Sequence, residues 1–425
     1  MFRNLRTLLI LVICFSLIFG MTSALFAQQK VKISYYFYGN PGEKEAEEAA
    51  IKAFIQAYPN IEVEAIHIPT NYEEKIRTMV AGGTPPDVMV WNPEHVPFLY
   101  KALLPLDNLI KTDLNKDIYT YPDNFLKAGS YRGHYYLLPK RFDGIGVMVY
   151  NEKLFKDNGL PFPSEPYPRK LSVQEFATLA SKIAKDVNGD GVNDIYGSDP
   201  LYYGIVFPWF RVINEGLGAN YKTPQWNKPP VTDALKFIYR GEVVEKWALP
   251  WGENRMQWFF LGKLGMVTDF GMYLMPEMRK ITDFGWDIAA RPGKEAPLPK
   301  PGGVAICKDT KNREAAWTLA KFLSTDIRAQ RAYMSAFGMG VTKKSAEEFL
   351  KQEHPKYLSY MAKPVGSIPK VAIVEPPHRF SEMMNTLWRE KEAFYAGKIG
   401  AEEFGNRIQQ IFSQMLEEEK EMFGK

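Results

Sequence analysis

Cysteine is almost missing from this chain: 425 residues hold two, Cys14 and Cys307. Only Cys307 lies beyond the first 27 residues, which excludes an internal disulfide there and leaves a hydrophobic core to hold the fold. Histidine is scarce as well. His67, His95, His134, His354 and His378 are scattered without metal-ligand spacing. HExxH, GxSxG and GxxxxGK[ST] are all absent, and no GxGxxG follows a strand and opens a helix, which weighs against an enzyme. Charge of one sign is lacking too: 53 Lys and Arg face 49 Asp and Glu, a formal +4. So balanced a chain gives no electrostatic case for nucleic acid or a membrane surface as partner. After residue 27 no apolar run is long enough to cross a bilayer.

What is present begins with a leader. Arg3 and Arg6 precede an apolar run from Leu8 to Phe19, and Ser23, Ala24 and Ala27 follow. A basic start, a short apolar segment and small residues read as a cleaved secretory signal peptide over 1–27, with cut sites after Ala27 or Ala24. The run is short of the roughly 20 residues of a membrane span, and Val12 and Ile13 are too bulky for Cys14 to be a lipid-anchor site. Losing Arg3 and Arg6 brings the charge to +2, and the roughly 400 residues left suggest two domains.

The mature start alternates two periods. VKISYYFY (31–38) reads as a strand, and Glu43–Tyr58 as a helix with Ala46, Ala50, Phe54 and Ala57 on one stripe. Ile61, Val63 and Ala65 alternate as a strand, Tyr72–Val80 is a second amphipathic helix, and TPPDVMVW (84–91) is a third strand. Strand, helix, strand, helix, strand implies a parallel sheet covered on both faces, an α/β fold whose ligands bind beyond the carboxyl ends of the strands. Those ends fall at Gly39-Asn40 and Trp91-Asn92. Further along, Leu171–Lys185 and Glu402–Glu421 read as helices. Ala290–Gly303, rich in proline and glycine, reads as a connector before the strand VAIC (304–307) and the helix Glu314–Leu323.

Five blocks in order, AGGTPPDVMVW (81–91), MVYNEKLFKDNGL (148–160), GKLGMVTDFGMYL (262–274), GGVAICKDTKNREAAWTLAKFLST (302–325) and FGMGVTKK (337–344), resemble the bacterial extracellular solute-binding proteins of the carbohydrate type. This is family 1, the maltose-binding-protein-like group. YAGKIGAEEFGNRIQQIFSQML (395–416) is similar to that family's closing helix. The resemblance implies a two-lobed periplasmic binding protein fold of type II, two α/β lobes whose hinged cleft closes on a sugar and presents it to an ABC transporter permease. It places lobe one at 28–142 plus 303–340 and lobe two at 143–302 plus 341–425, with crossings near Phe142, Gly303 and Gly340. It implies a monomeric periplasmic protein, no enzyme, with no required cofactor. An exported carbohydrate-active enzyme, a hydrolase or lyase, is the alternative, since paired carboxylates need only meet in space and leave no motif.

A sugar needs aromatic rings for its faces and carboxylates, amides or arginine for its hydroxyls. By the resemblance Trp91 stacks on the ligand, with Asn92 and Glu94 beside it and Asn40 at the first strand end. A lid on the core is the alternative for Trp91, and a solvated helix start for Glu94. Arg141 and Asp143 stand at the first crossing, where a salt bridge between lobes is the other reading. From lobe two, FPWFR (207–211) offers Trp209, and TDFGMYL offers Asp269 and Tyr273. Gly303 would let backbone approach the ligand, and Arg379 comes from the last loop.

One stretch stands apart. DVNGDGVND (186–194) puts Asp186, Asn188 and Asp190 at positions one, three and five of a calcium loop, with the turn glycine Gly191 at six, the Val192 carbonyl at seven and Asp194 at nine. Position twelve is Gly197 instead of the bidentate Glu. A structural calcium site and a tight polar turn are both compatible with it.

Overall fold

The computed structural model describes residues 30–144, 147–165, 169, 171–201, 223–229, 231–271, 274–292, 300–337, 339–351, 377 and 379–423. The expected leader at 1–27 lies outside them, as do Trp209 and Tyr273.

In chain order, the first half supplies β1 (Val31–Phe37), α1 (Pro41–Ala57), β2 (Ile61–His67), α2 (Tyr72–Ala81), β3 (Val88–Trp91) and β4 (Leu138–Gly144). Then come β5 (Val147–Asn151), α3 (Val173–Ile183), β6 (Tyr196–Ser198), α4 (Arg255–Phe260), β7 (Leu264–Phe270) and β8 (Trp286–Ala290). The last third holds β9 (Lys300–Ile306), α5 (Arg313–Thr325), α6 (Ile327–Phe337), α7 (Lys343–Leu350), α8 (Phe380–Tyr395) and α9 (Ala401–Phe423).

The period-two alternation of β1 buries Ile33, Tyr35 and Phe37. α1 starts where Asn40 accepts from the Glu43 amide and Glu43 reaches back to the Asn40 amide, a capping box with proline in the first turn. It buries Ala46, Glu47, Ala50, Ile51 and Phe54 against the sheet.

Among the described residues the first sheet is five-stranded, in the order β2-β1-β3-β9-β4. β1 is parallel to β2 and β3, as the alternating periods predict. β9 is not: it runs antiparallel to both β3 and β4, so the sheet is mixed. The reason is connectivity. The chain leaves this sheet at the carboxyl end of β4 and re-enters at the same edge, so β9 can only run backwards. Residues 300–303, expected as connector, are already strand, and Gly303 pairs with Trp91. A Cβ on Gly303 would sit 2.8 Å from Leu137 Cδ1 and 3.0 Å from the Trp91 carbonyl oxygen, so strand crowding is enough to require the glycine.

The second sheet is four-stranded among the described residues, in the order β8-β5-β7-β6. Two connections join the sheets, from β4 to β5 and from β8 to β9. Their ends lie side by side, since Lys300 pairs with Gly144 in one sheet and Ala290 with Val147 in the other. One hydrophobic cluster continues from Tyr35 and Phe54 through Phe142 to Val147, Phe270 and Ile288, and so links both sheets. A separate cluster packs Phe176, Trp226, Trp247, Phe394 and Phe412 over the second sheet.

The third crossing, expected near Gly340, does not fall there. Thr342 bridges Tyr119, the Thr120 amide donates to the Val341 carbonyl, and Arg331 on α6 pairs with Glu348 on α7. The chain therefore stays on the first sheet's side through α7, and α8 and α9 join the second cluster.

Candidate functional site

Both connections leave from one edge of each sheet. On the first sheet this edge carries the carboxyl ends of β1 and β3, the positions where open α/β sheets take ligands. Tyr38 and Asn92 stand there, just past β1 and β3, and both are partly exposed. The Tyr38 hydroxyl donates to Asn92 Oδ1 at 3.0 Å and accepts from Arg141 Nη2 at 3.0 Å. Arg141 sits over two aromatic rings, its guanidinium 5.1 Å from the Tyr38 ring centre and 4.8 Å from that of Phe337. β4 brings it there, with Arg141 paired to Gly302 across the ladder.

Below this layer sits a buried ionic group. Glu47 and Lys140 are both fully buried and form an ion pair. Glu47 Oε2 accepts from the Tyr35 hydroxyl at 2.8 Å and the Tyr333 hydroxyl at 3.1 Å. Lys140 Nζ donates to the Tyr35 hydroxyl at 3.1 Å and lies 4.5 Å from the Tyr333 ring centre. Arg141 Nη1 is 3.6 Å from Glu47 Oε1 and 4.0 Å from Glu43 Oε1. Burial, first, and the Glu47 charge push the Tyr35 and Tyr333 hydroxyls well above the ordinary tyrosine pKa, so both stay neutral donors.

The second sheet offers a polar group at the carboxyl ends of its parallel pair, β6 and β7. Asp199 is fully buried and accepts from the Thr268 amide at 2.9 Å, from Thr268 Oγ1 at 2.8 Å and from Arg255 Nη1 at 3.0 Å. Burial raises the Asp199 carboxyl above the usual range, against the opposing pull of Arg255 and Thr268.

The residues expected from sequence are placed as follows. Asn92 and Arg141 meet through Tyr38. Asn40 is exposed and caps α1. Trp91 is 1% exposed, enclosed with Tyr72, Leu99, Tyr136 and Leu137, and its indole N–H has no partner among the described residues. Its ring lies 6.4 Å from Tyr72 and 5.8 Å from His95, centre to centre. The side chains of Glu94, Asp143 and Asp269 lie outside the described set, although their backbones belong to the turn Pro93–His95, to β4 and to β7. Arg379 is committed elsewhere. Its guanidinium pairs with Glu382 and Glu418, each at 2.6 Å, which ties α8 to α9. Sequence reasoning missed Tyr38, Phe337 and the Glu47–Lys140 pair. The signal for Tyr38 was there: it is the last aromatic of VKISYYFY, one residue beyond the strand end.

The DVNGDGVND loop is closed by the Lys185–Ile195 bridge and bonded to itself. Asp186 accepts from the Gly189 and Gly191 amides, Asn188 from Asp190, Asp190 from Val192, and Asp194 from Val187 and Asn188. The Gly191 and Gly189 donors hold the Asp186 carboxyl below the usual range. Gly191 has φ +89°, the turn conformation expected of it. Among the described residues no three His, Cys, Asp or Glu side chains converge as a metal cluster. No described helix is long and apolar enough to cross a membrane.

Residues 39–327 match the family described as bacterial extracellular solute-binding protein. An ABC transporter extracellular-binding protein of Pyrococcus horikoshii is 28% identical over 241 residues, 49% of this chain and 53% of the relative. The match thus spans about half the length of that relative. Among solved structures, an ABC substrate-binding protein of Listeria monocytogenes in complex with cycloalternan superposes with a TM-score of 0.74 at 20% identity, covering 91% of this chain and 99% of that one. The maltose/maltodextrin-binding domain of Bdellovibrio bacteriovorus, bound to maltotriose, gives a TM-score of 0.68 at 19% identity, with 91% and 100% covered. The acarbose-binding GacH receptor of Streptomyces glaucescens gives 0.71 at 17%, with 91% and 99% covered. These likenesses give the fold: two lobes, as the sequence blocks imply.

Proposed function

Because the chain belongs to the bacterial extracellular solute-binding proteins, we propose that it captures a sugar or oligosaccharide between its two sheets and delivers it to the permease of an ABC importer. It acts as an exported, periplasmic monomer freed of its leader, with lobe one at 30–144 plus 300–350 and lobe two at 147–290 plus 380–423. The observation that carries the reading is the Arg141–Tyr38–Asn92 relay at the carboxyl edge of the first sheet. Arg141 donates to the Tyr38 oxygen, which turns the phenolic proton toward Asn92 Oδ1. Asn92 then presents its Nδ2–H donors next to the partly exposed Tyr38 side chain. A ring face and directed amide donors are what a sugar face and its hydroxyls require. Here the stacking role expected of Trp91 passes to Tyr38. Asp199, Thr268 and Arg255 brace the corresponding strand ends of the second sheet, the edge that closure about the paired connections brings toward the ligand.

Calorimetry against mono- and oligosaccharides, polyols and glycerol phosphates tests this. At least one saccharide is expected to bind in the micromolar range, about 8 kcal/mol, and Tyr38→Ala is expected to weaken it by roughly 10- to 100-fold. Silence across the whole panel refutes sugar capture. The family is one of binding proteins, and turnover of labelled oligosaccharide at catalytic protein concentration would revive the hydrolase or lyase alternative.

Capture needs no cofactor in this reading, and the loop 186–194 works as a turn held by its own amides. Melting temperatures in millimolar calcium and in excess chelator are expected to coincide. A higher melting temperature in calcium would assign Asp186, Asn188, Asp190, Val192 and Asp194 to a structural calcium instead.

A further inference from the structure

Two carboxylates and a lysine are packed around the relay's Arg141: Glu43 and Glu47 on α1, and Lys140 beside Arg141 on β4. Lys140, Glu47 and Arg141 are nearly or wholly buried, and 13% of the Glu43 side chain is exposed. We propose that the Glu43–Glu47 pair sets the charge class of the ligand: it cancels Arg141 and Lys140 under the site, so that the site takes uncharged saccharides and rejects uronates and sugar phosphates. The inference rests on the sugar-capture reading and adds the specificity-determining residues.

The physical case runs through Arg141. An arginine in a sugar site ordinarily invites a carboxylate or phosphate, because its planar fork matches their oxygens. Here the fork already has counter-charges and aromatic rings around it. Nη2 donates to Tyr38, Nη1 lies 3.6 Å from Glu47 and 4.0 Å from Glu43, and the guanidinium sits 5.1 Å from the Tyr38 ring centre and 4.8 Å from that of Phe337. Lys140 supplies no spare charge either, since it pairs with Glu47 and lies among Tyr35 and Tyr333. An anionic ligand would have to displace a buried carboxylate from a buried cation and leave the displaced charge without compensation. A neutral hydroxyl asks for none of this. It needs only the Asn92 amide and the Tyr38 ring, whose positions the carboxylates fix through Arg141. Glu47 is thus a positioning residue acting through Arg141, and Glu43 carries the rim of the same compensation.

The test compares matched ligands by calorimetry at one fixed ionic strength: neutral gluco- and manno-oligosaccharides against glucuronate and mannuronate oligosaccharides of the same linkage. The unaltered protein is expected to bind its neutral ligand at least ~100-fold tighter than the matched uronate. Glu43→Gln leaves a residue that still closes the capping box but removes one of the two anions. It is expected to narrow that ratio by ~10-fold or more, chiefly by tightening the uronate, and to make uronate binding steeply salt-dependent. Glu47→Gln is expected to act in the same direction, with its fold checked by melting. A merely structural role for these carboxylates would lower stability or weaken both ligand classes alike without moving the ratio. Uronate binding as tight as neutral binding in the unaltered protein overturns the inference, and so does an unchanged ratio in folded Glu43→Gln. Silence from both ligand classes overturns the sugar-capture reading itself, and this inference with it.

Discussion

Replacing Lys140 with methionine is expected to destabilise the protein by about 3 kcal/mol, the lower end of the range for stripping one partner from a buried ion pair. Glu47 has no exposure, and Lys140 is its closest cation. Without it, the carboxylate keeps the Tyr35 and Tyr333 hydroxyls and an Arg141 nitrogen at 3.6 Å, which soften the loss without replacing the charge. Denaturant titration reads the effect. The double variant Lys140→Met, Glu47→Met should recover a large part of it, because replacing both partners with apolar groups removes the desolvation cost along with the pair. A single variant as stable as the parent would show that water reaches Glu47.

Trp91→Ala is expected to cost about 3–5 kcal/mol of folding stability, the usual range for truncating a buried tryptophan. The side chain is 1% exposed and enclosed by the cluster of Tyr72, Leu99, Tyr136 and Leu137. Sugar affinity in the surviving folded fraction should change far less than in Tyr38→Ala. A folded variant with an unchanged melting temperature and much weaker binding would return the stacking role to Trp91.

Those two residues mark where sequence reasoning ran out. The framework was legible because it depends on local period and punctuation. The alternation of VKISYYF, the alanine and phenylalanine stripe of α1 and the Asn40–Glu43 spacing each encode their element without reference to the rest of the chain. The backward run of β9 was hidden. The run Lys300-Pro301-Gly302-Gly303 has the composition of a loop, and it is strand only because β3 and β4 flank it. The site was legible by edge and not by depth. Trp91 and Asn92 are neighbours at a strand end, yet the pleat sends one into the core and leaves the other at the rim. The Glu47–Lys140 pair gave no signal, since an acidic residue in the helix EKEAEEAA reads as a solvated face until the fold turns it inward. Arg379 looked available and is instead held between α8 and α9.

The position of β9 also sets an order in time. It lies between β3 and β4, which do not touch without it, so the first sheet stays in two pieces until residues 300–306 have left the ribosome. The second sheet, by contrast, draws every strand from 147–290 and can assemble earlier. The first sheet is thus begun first and completed last, closing over contacts more than 200 residues apart in the chain, such as Gly303 with Trp91. Closure over such a loop is entropically slow. A chain of this topology keeps its first sheet open for much of its synthesis, so the strands made first wait longest for their last neighbour.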